Sequence, residues 1–218
     1  MKKIPNINIT LKAAISLDGK IATSTGKSKW ITGKIARQKV HELRIENDAI
    51  LVGINTVLCD DPKLNVRGEL DGDSPIRIIM DSKARIPKQS QVFQNDGVPV
   101  IIITGNKAPL RRWPKLDNLT IIKAPTEIPD VFWVLSELKK FKINSLLVEG
   151  GSLIYASFLK SNYVNHLALF LSPKIIGGQE ALSWCGNLNV DRLEEASQFD
   201  INSITKLGED MLISAKFK

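Results

Sequence analysis

The sequence predicts an α/β protein built on a largely parallel sheet covered on both faces. Apolar runs of strand length alternate with stretches of helical periodicity, and several of those runs are apolar throughout instead of alternating. A strand packed on both faces has no polar side to show, and parallel sheets are packed that way.

The first run, INITLKAAI at 7–15, is β-branched and Leu-rich and reads as a strand. SLDGKIATSTGKSKWIT at 16–32 is rich in Gly, Ser and Thr, with Trp30 its single aromatic, and reads as a long loop of the kind that covers a ligand or stands as an ordered Ω-loop. In GKIARQKVHELRIEN, Ala36, Val40 and Leu43 share one helical face, with Thr32 as the expected cap. DAILVGI (48–54), PIRIIMD (75–81), VPVIIIT (98–104) and LTIIKA (119–124) follow as strands. PDVFWVLSELKKF then reads as a helix, INSLLVEG (143–150) as a strand, SLIYASFLKS as a helix and HLALFLSPKII (166–176) as a strand. Two late runs, near 199–206 and 211–217, form a closing hairpin. No repeat, low-complexity segment or linker divides the chain, so 1–218 reads as one domain.

With 218 residues, 43% of them hydrophobic, the chain can bury a substantial core. The longest apolar runs are too short to span a membrane, and MKKIPNINIT lacks the apolar core of a signal peptide, which points to the cytoplasm. Cys59 and Cys185 match no metal or redox spacing and read as free buried thiols. The net charge of +7 suits an acidic partner, but the basic residues are dispersed and no nucleic-acid motif is present. Phosphorylated small molecules fit that charge equally well.

The common fingerprints of dinucleotide binding, P-loops, zinc deaminases and nucleophile elbows are all missing, so neither metal nor covalent catalysis is expected. Three other stretches carry chemistry. In LVGINTVLCDDPKLNVR (51–67) a buried strand leads into a loop with Asp60 and Asp61 before Pro62, and Arg67 beyond. In LLVEGGSLIYASFL a strand ends in Glu149, Gly150 and Gly151, and a helix follows from about Ser152. Glycines let a ligand approach the backbone, and a helix N-terminus attracts an anion, so a diphosphate fits there, as does a tight turn with no ligand. A carboxylate at the end of an apolar strand is costly to bury unless it is paired or bound.

LKAAISLDGKIA, SKWIT, GINTVLCDDPKLNVR, PIRIIMDSKARIP, VEGGS and LSPKIIGG occur in an order that resembles the pyrimidine reductase family of riboflavin biosynthesis, from about residue 8 to 217. The resemblance implies a dihydrofolate-reductase-like fold: a mixed, mostly parallel sheet with flanking helices and a C-terminal antiparallel hairpin. It implies a free-standing reductase in which NADPH delivers a hydride to C1 of a ribose, opening the sugar to a ribityl chain. A homodimer is implied as well.

Carried onto this sequence, the resemblance assigns Ser28, Arg44, Leu64, Arg67 and Glu149 to the substrate, with Arg44 and Arg67 as the phosphate partners. It assigns Ala14, Trp30, Thr56, Asp60, Ser82 and the segment from Gly151 onward to NADPH; Gly150, Gly151 and Ser152 would then meet its diphosphate. Lys83 and Arg85, near Ser82, are placed to read its 2′-phosphate. Asp60 is the candidate for proton transfer at the opening sugar, and Glu149 competes for that role. Lys12 donates but cannot accept, which favours a ring carbonyl and hence 5-amino-6-(5-phosphoribosylamino)uracil over the undeaminated diamino compound. Other readings are a reductase of this fold acting on another pterin or pyrimidine, or on a modified nucleoside or antibiotic precursor. A nucleotide- or nucleic-acid-binding protein would explain the charge but not Asp60 and Glu149 at strand ends.

Overall fold

The computed structural model describes residues 6–67, 70–94, 96–109 and 113–218; the first five residues of the opening MKKIPNINIT segment lie outside it. The strands are β1 (Asn8–Ile15), β2 (Lys20–Ala22), β3 (Ala49–Gly53), β4 (Ile76–Met80), β5 (Val100–Thr104), β6 (Leu119–Lys123), β7 (Ser145–Gly150), β8 (His166–Leu171), β9 (Leu182–Ser183), β10 (Phe199–Leu207) and β11 (Asp210–Phe217). The helices are α1 (Lys34–Ile45), α2 (Ile54–Asp60), α3 (Val131–Lys140) and α4 (Ser152–Ser161). Among the described residues one sheet has nine strands in the order β10-β11-β8-β1-β7-β3-β4-β5-β6. The pairs from β8 to β6 are parallel, and β11 joins β8 antiparallel with β10 beyond it. The mostly parallel sheet and the closing hairpin are as the sequence predicts.

The continuous apolar strands behave as expected: β3 and β5 are buried at every residue. Their period of two sends Leu51, Ile101 and Ile103 to one face, against Val134, Leu135 and Leu138 of α3 and Phe158 and Leu159 of α4. Ile50, Val52 and Ile102 point the other way, toward Ile54 and Val57 of α2 and the buried Leu64. On that second face α1 lays Ala36 and Val40 on Ala168, Phe170 and Leu212.

The structure corrects several local expectations. Residues 54–60 form a helix, α2, directly at the end of β3, where a loop was expected. The residue capping α1 is Gly33, whose N–H donates to Asp210 Oδ2 at 2.7 Å; the Thr32 side chain makes no cap bond. The strand expected over 166–176 stops at Leu171, two residues before Pro173, which has no N–H for the ladder. Cys59 is exposed, because α2 buries Ile54 and Val57 and its next residues turn outward; both cysteines are free.

The 16–32 segment is tied down by the chain after β8. Residues 20–22 pair with β9. Asp18 accepts the N–H groups of Ile176 at 3.0 Å and Gly177 at 2.8 Å, and the Lys174 ammonium donates to the carbonyls of Trp30 at 2.7 Å and Ile31 at 2.9 Å. The SPKIIGG stretch is thus the clamp for the loop that carries Ser28 and Trp30.

Candidate active site

Glu149 owes its position to a break in strand pairing. β1 and β7 pair from Asn8↔Ser145 only to Leu11↔Val148, and β3 pairs Leu51 with Val148 but Val52 with Gly150, so Glu149 is an extra residue on β7. Such a bulge re-aims a side chain. The Glu149 carboxylate enters the gap beside β1 and meets Arg44 of α1 in a two-pronged ion pair, Nε to Oε1 at 2.8 Å and Nη2 to Oε2 at 2.9 Å. Lys12 Nζ lies 3.8 Å from Oε2. Burial pushes the Glu149 carboxyl up, but Arg44 and then Lys12 outweigh it and hold the pKa at about 2. Burial lowers the pKa of Lys12, countered in part by Glu149, with Arg44 adding to the fall.

This geometry bears on two expectations. Arg44 is buried in the cavity wall, with two donors on Glu149 and Nη1 on the Asn65 carbonyl at 2.8 Å. Glu149, locked as a carboxylate, is poorly suited to pass a proton near neutral pH.

Asp60 is the last residue of α2 and half-buried on the cavity wall. The Ser28 hydroxyl donates to its Oδ1, linking the 16–32 loop to the site. Asp61 caps α2 in the left-handed conformation at φ 42, and its carboxylate accepts the Gln91 N–H at 2.8 Å. That turn carries the chain into Leu64, itself buried and at φ 53.

A cavity of about 340 Å³ is lined by Lys12, Ser28, Arg44, Leu64 and Glu149 of the expected substrate set and by Ala14, Trp30, Thr56, Asp60 and Gly151 of the expected cofactor set. Across Thr56 and Gly151 it adjoins a second cavity of about 510 Å³, which Ser82, Arg85 and Ser152 also line. Arg85 is held by the Asn55 amide oxygen at 2.8 Å, whereas Lys83 is exposed and borders none of these cavities. Arg67 opens instead onto a third cavity of about 560 Å³, which shares Trp30 and Arg37 with the first.

The two glycines before α4 serve different ends. A Cβ on Gly150 would stand 2.9 Å from the Tyr155 hydroxyl, so Gly150 makes room for Tyr155 and not for a ligand. Tyr155, buried, donates to the Lys12 carbonyl at 2.5 Å, the group left without β7 as a partner where β1 and β7 part. Gly151, at φ 96, lines both of the adjoining cavities, and a Cβ there would meet only Thr56 Oγ1 at 3.6 Å. Open backbone at the start of a ten-residue helix is a fitting cradle for a diphosphate.

Tyr155 and Arg37 were not singled out by sequence reading. Tyr155 looks like one more apolar-face residue of α4. Lys34, Arg37 and His41, however, recur at helical spacing on a face of α1 beside that of Ala36 and Val40, a basic stripe that periodicity could have revealed.

Adjoining cavities at the carboxyl ends of a parallel sheet, with a helix N-terminus in their wall, define an α/β fold of the dihydrofolate reductase shape. Dihydrofolate reductase from Enterococcus faecalis superposes with a TM-score of 0.57 over 99% of this chain and 98% of that one, a likeness of fold alone at 10% identity. More narrowly, the chain belongs to the RibD C-terminal domain family, whose model matches residues 8–213. It is similar to the 2,5-diamino-6-ribosylamino-4(3H)-pyrimidinone 5′-phosphate reductase of Methanothermobacter thermautotrophicus, at 38% identity over 213 residues covering 96% of this chain and 98% of the relative. It is also similar to a Thermotoga maritima diaminohydroxyphosphoribosylaminopyrimidine deaminase/5-amino-6-(5-phosphoribosylamino)uracil reductase of known crystal structure. That match has 31% identity and a TM-score of 0.80, covering 98% of this chain and 57% of that one. The chain spans 55–58% of the curated RibD proteins it matches. Among the described residues no helix is long and apolar enough to cross a membrane.

Proposed function

We propose that the protein is an NADPH-dependent oxidoreductase that reduces the ribosyl group of 5-amino-6-(5-phosphoribosylamino)uracil to the ribityl chain in riboflavin biosynthesis. The observation that carries this is the convergence of Asp60, Glu149 and the Gly151 cradle on adjoining cavities, together with membership of the family. The groove through Thr56 and Gly151 suits a dinucleotide, with the diphosphate on the start of α4 and Arg85 toward the 2′-phosphate. NADPH, when bound, supplies the hydride that adds to C1 of the ring-opened imine.

The chain's own residues then divide the work. Asp60, hydrogen-bonded by Ser28, is the group for the proton that the imine nitrogen gains as its carbon receives hydride. Glu149 stays ionised and holds Arg44 and Lys12 in place around the pyrimidine. Lys12 reaches the cavity as a donor with no acceptor capacity, which supports a ring carbonyl beside it. A second reading, reduction of the undeaminated diamino compound, is favoured by the name of the Methanothermobacter relative.

The protein would act in the cytoplasm as a homodimer. In support, β10 is an edge strand exposed along most of its length, with Ile201 and Ile204 each about 60% accessible, and a second copy could cover it. NADPH oxidation with each pyrimidine tests the assignment: turnover that requires the deaminated compound is expected. Equal turnover of both would remove the uracil preference, and NADPH binding without turnover on either would remove the substrate.

A further inference from the structure

The third cavity is a basic annex. Lys34, Arg37, Gln38 and His41 of α1 line it together with Arg67, with no carboxylate in the described lining. Burial lowers the pKa of His41, and the charges of Arg44 and Arg67 add to the fall against the opposing charge of Glu149. The annex meets the main cavity at Trp30 and Arg37, which border both.

Arg37 is the hinge of this arrangement. Its guanidinium lies over the Trp30 ring, 4.3 Å from the centroid, and its Nη1 donates to the Thr32 carbonyl at 2.6 Å. Nε and Nη2 make no bond within the described protein, so Arg37 has donors to spare where Arg44 has committed three. Trp30 itself sits at φ 68, a left-handed conformation unusual for a bulky residue, and is two-thirds exposed. The Arg37 guanidinium packs on its ring and the Lys174 ammonium bonds its carbonyl. A residue held against its conformational preference at a cavity rim points to a use for that position.

We propose that Arg37 is a specificity-determining residue for a phosphorylated sugar: it braces Trp30 with one part of its guanidinium and, with Arg67, binds the sugar phosphate in the annex with the other. This rests on the reading of the substrate as a phosphoribosyl compound. The planar fork suits phosphate oxygens, and its stacking on Trp30 removes rotational freedom before the ligand arrives, so little entropy is lost on binding.

The test uses Arg37→Met, which keeps an alkyl chain on Trp30 but removes the charge, and Arg37→Lys, which restores charge without the fork. Calorimetry with ribose 5-phosphate and with ribose reads the annex directly, and steady-state kinetics read the reaction. Arg37→Met should weaken ribose 5-phosphate binding and raise KM for the pyrimidine phosphate by roughly tenfold or more. KM for NADPH should stay within about twofold and Arg37→Lys should recover part of the loss. Ribose 5-phosphate binding by Arg37→Met equal to wild type, or KM for NADPH rising as much as KM for the pyrimidine, would overturn the proposal. If wild type turns over neither pyrimidine yet binds ribose 5-phosphate in a way that Arg37→Met weakens, the reductase reading fails while the phosphate site stands.

Discussion

Arg44 and Glu149 come from sequence positions far apart, on α1 and on the bulge of β7, and meet in a buried two-pronged ion pair at 2.8 and 2.9 Å. This pair shapes the cavity by fixing one helix to the strand end where Lys12, Leu64 and Asp60 also gather.

Breaking that pair should leave a buried charge behind. Arg44→Met is expected to destabilise the fold by roughly 3–5 kcal/mol, and Arg44→Met combined with Glu149→Leu by clearly less than the sum of the two single changes. Urea unfolding of the three variants measures this; strict additivity would mean that the two groups do not interact.

The same pair sets an acid limit. The Glu149 pKa is held at about 2 in the folded protein against 4.5 ordinarily, so the folded state binds the carboxyl proton less tightly than the unfolded chain. Stability from this group is complete above about pH 4.5 and is lost as the pH falls toward 2, amounting to roughly 3 kcal/mol in all. Urea midpoints taken from pH 6 down to pH 3 should fall more steeply for wild type than for Arg44→Met, and parallel curves would refute the assignment.

Asp60 and Glu149 should separate kinetically. Asp60→Asn is expected to lower kcat by about 100-fold or more with little change in KM for NADPH, as for the loss of a general acid or base. Glu149→Gln should act mainly on KM for the pyrimidine, since its carboxylate positions Arg44 and Lys12. A near-normal kcat in Asp60→Asn would take Asp60 out of the chemistry.

Tyr155→Phe removes only the hydroxyl that satisfies the Lys12 carbonyl. The expected cost is about 1–3 kcal/mol, the penalty for a buried acceptor left alone. Thermal melts report it, and an unchanged Tm would show that the carbonyl finds another donor.

Much of this architecture is legible along the chain. Runs such as AILVG and VIIIT have no polar side, and packing on both faces is the only way to hide them. The junction of β7 with α4 is equally local: Glu149, Gly150, Gly151 and the helix after them are contiguous, and so is the acidic pair before Pro62. Helix α2 escaped because INTVLCD is short and β-branched, and its helical state depends on Ile54 and Val57 packing under the sheet. The division of labour between neighbouring glycines was likewise hidden, since Gly150 answers to Tyr155 on the next helix.

What the sequence alone determined is the fold class, most of its element order, the family resemblance and many of the residues that line the cavities, because periodicity and contiguous motifs are properties of the chain. Which partners each of those residues meets was decided only in three dimensions. Arg44 and Arg67 look alike in one dimension, yet one is buried against Glu149 and the other faces the annex. Arg37 looked like an ordinary surface arginine until it was found over Trp30. The physical reason is that the role of a charged group follows from its desolvation and its partners, and both come from segments many residues away.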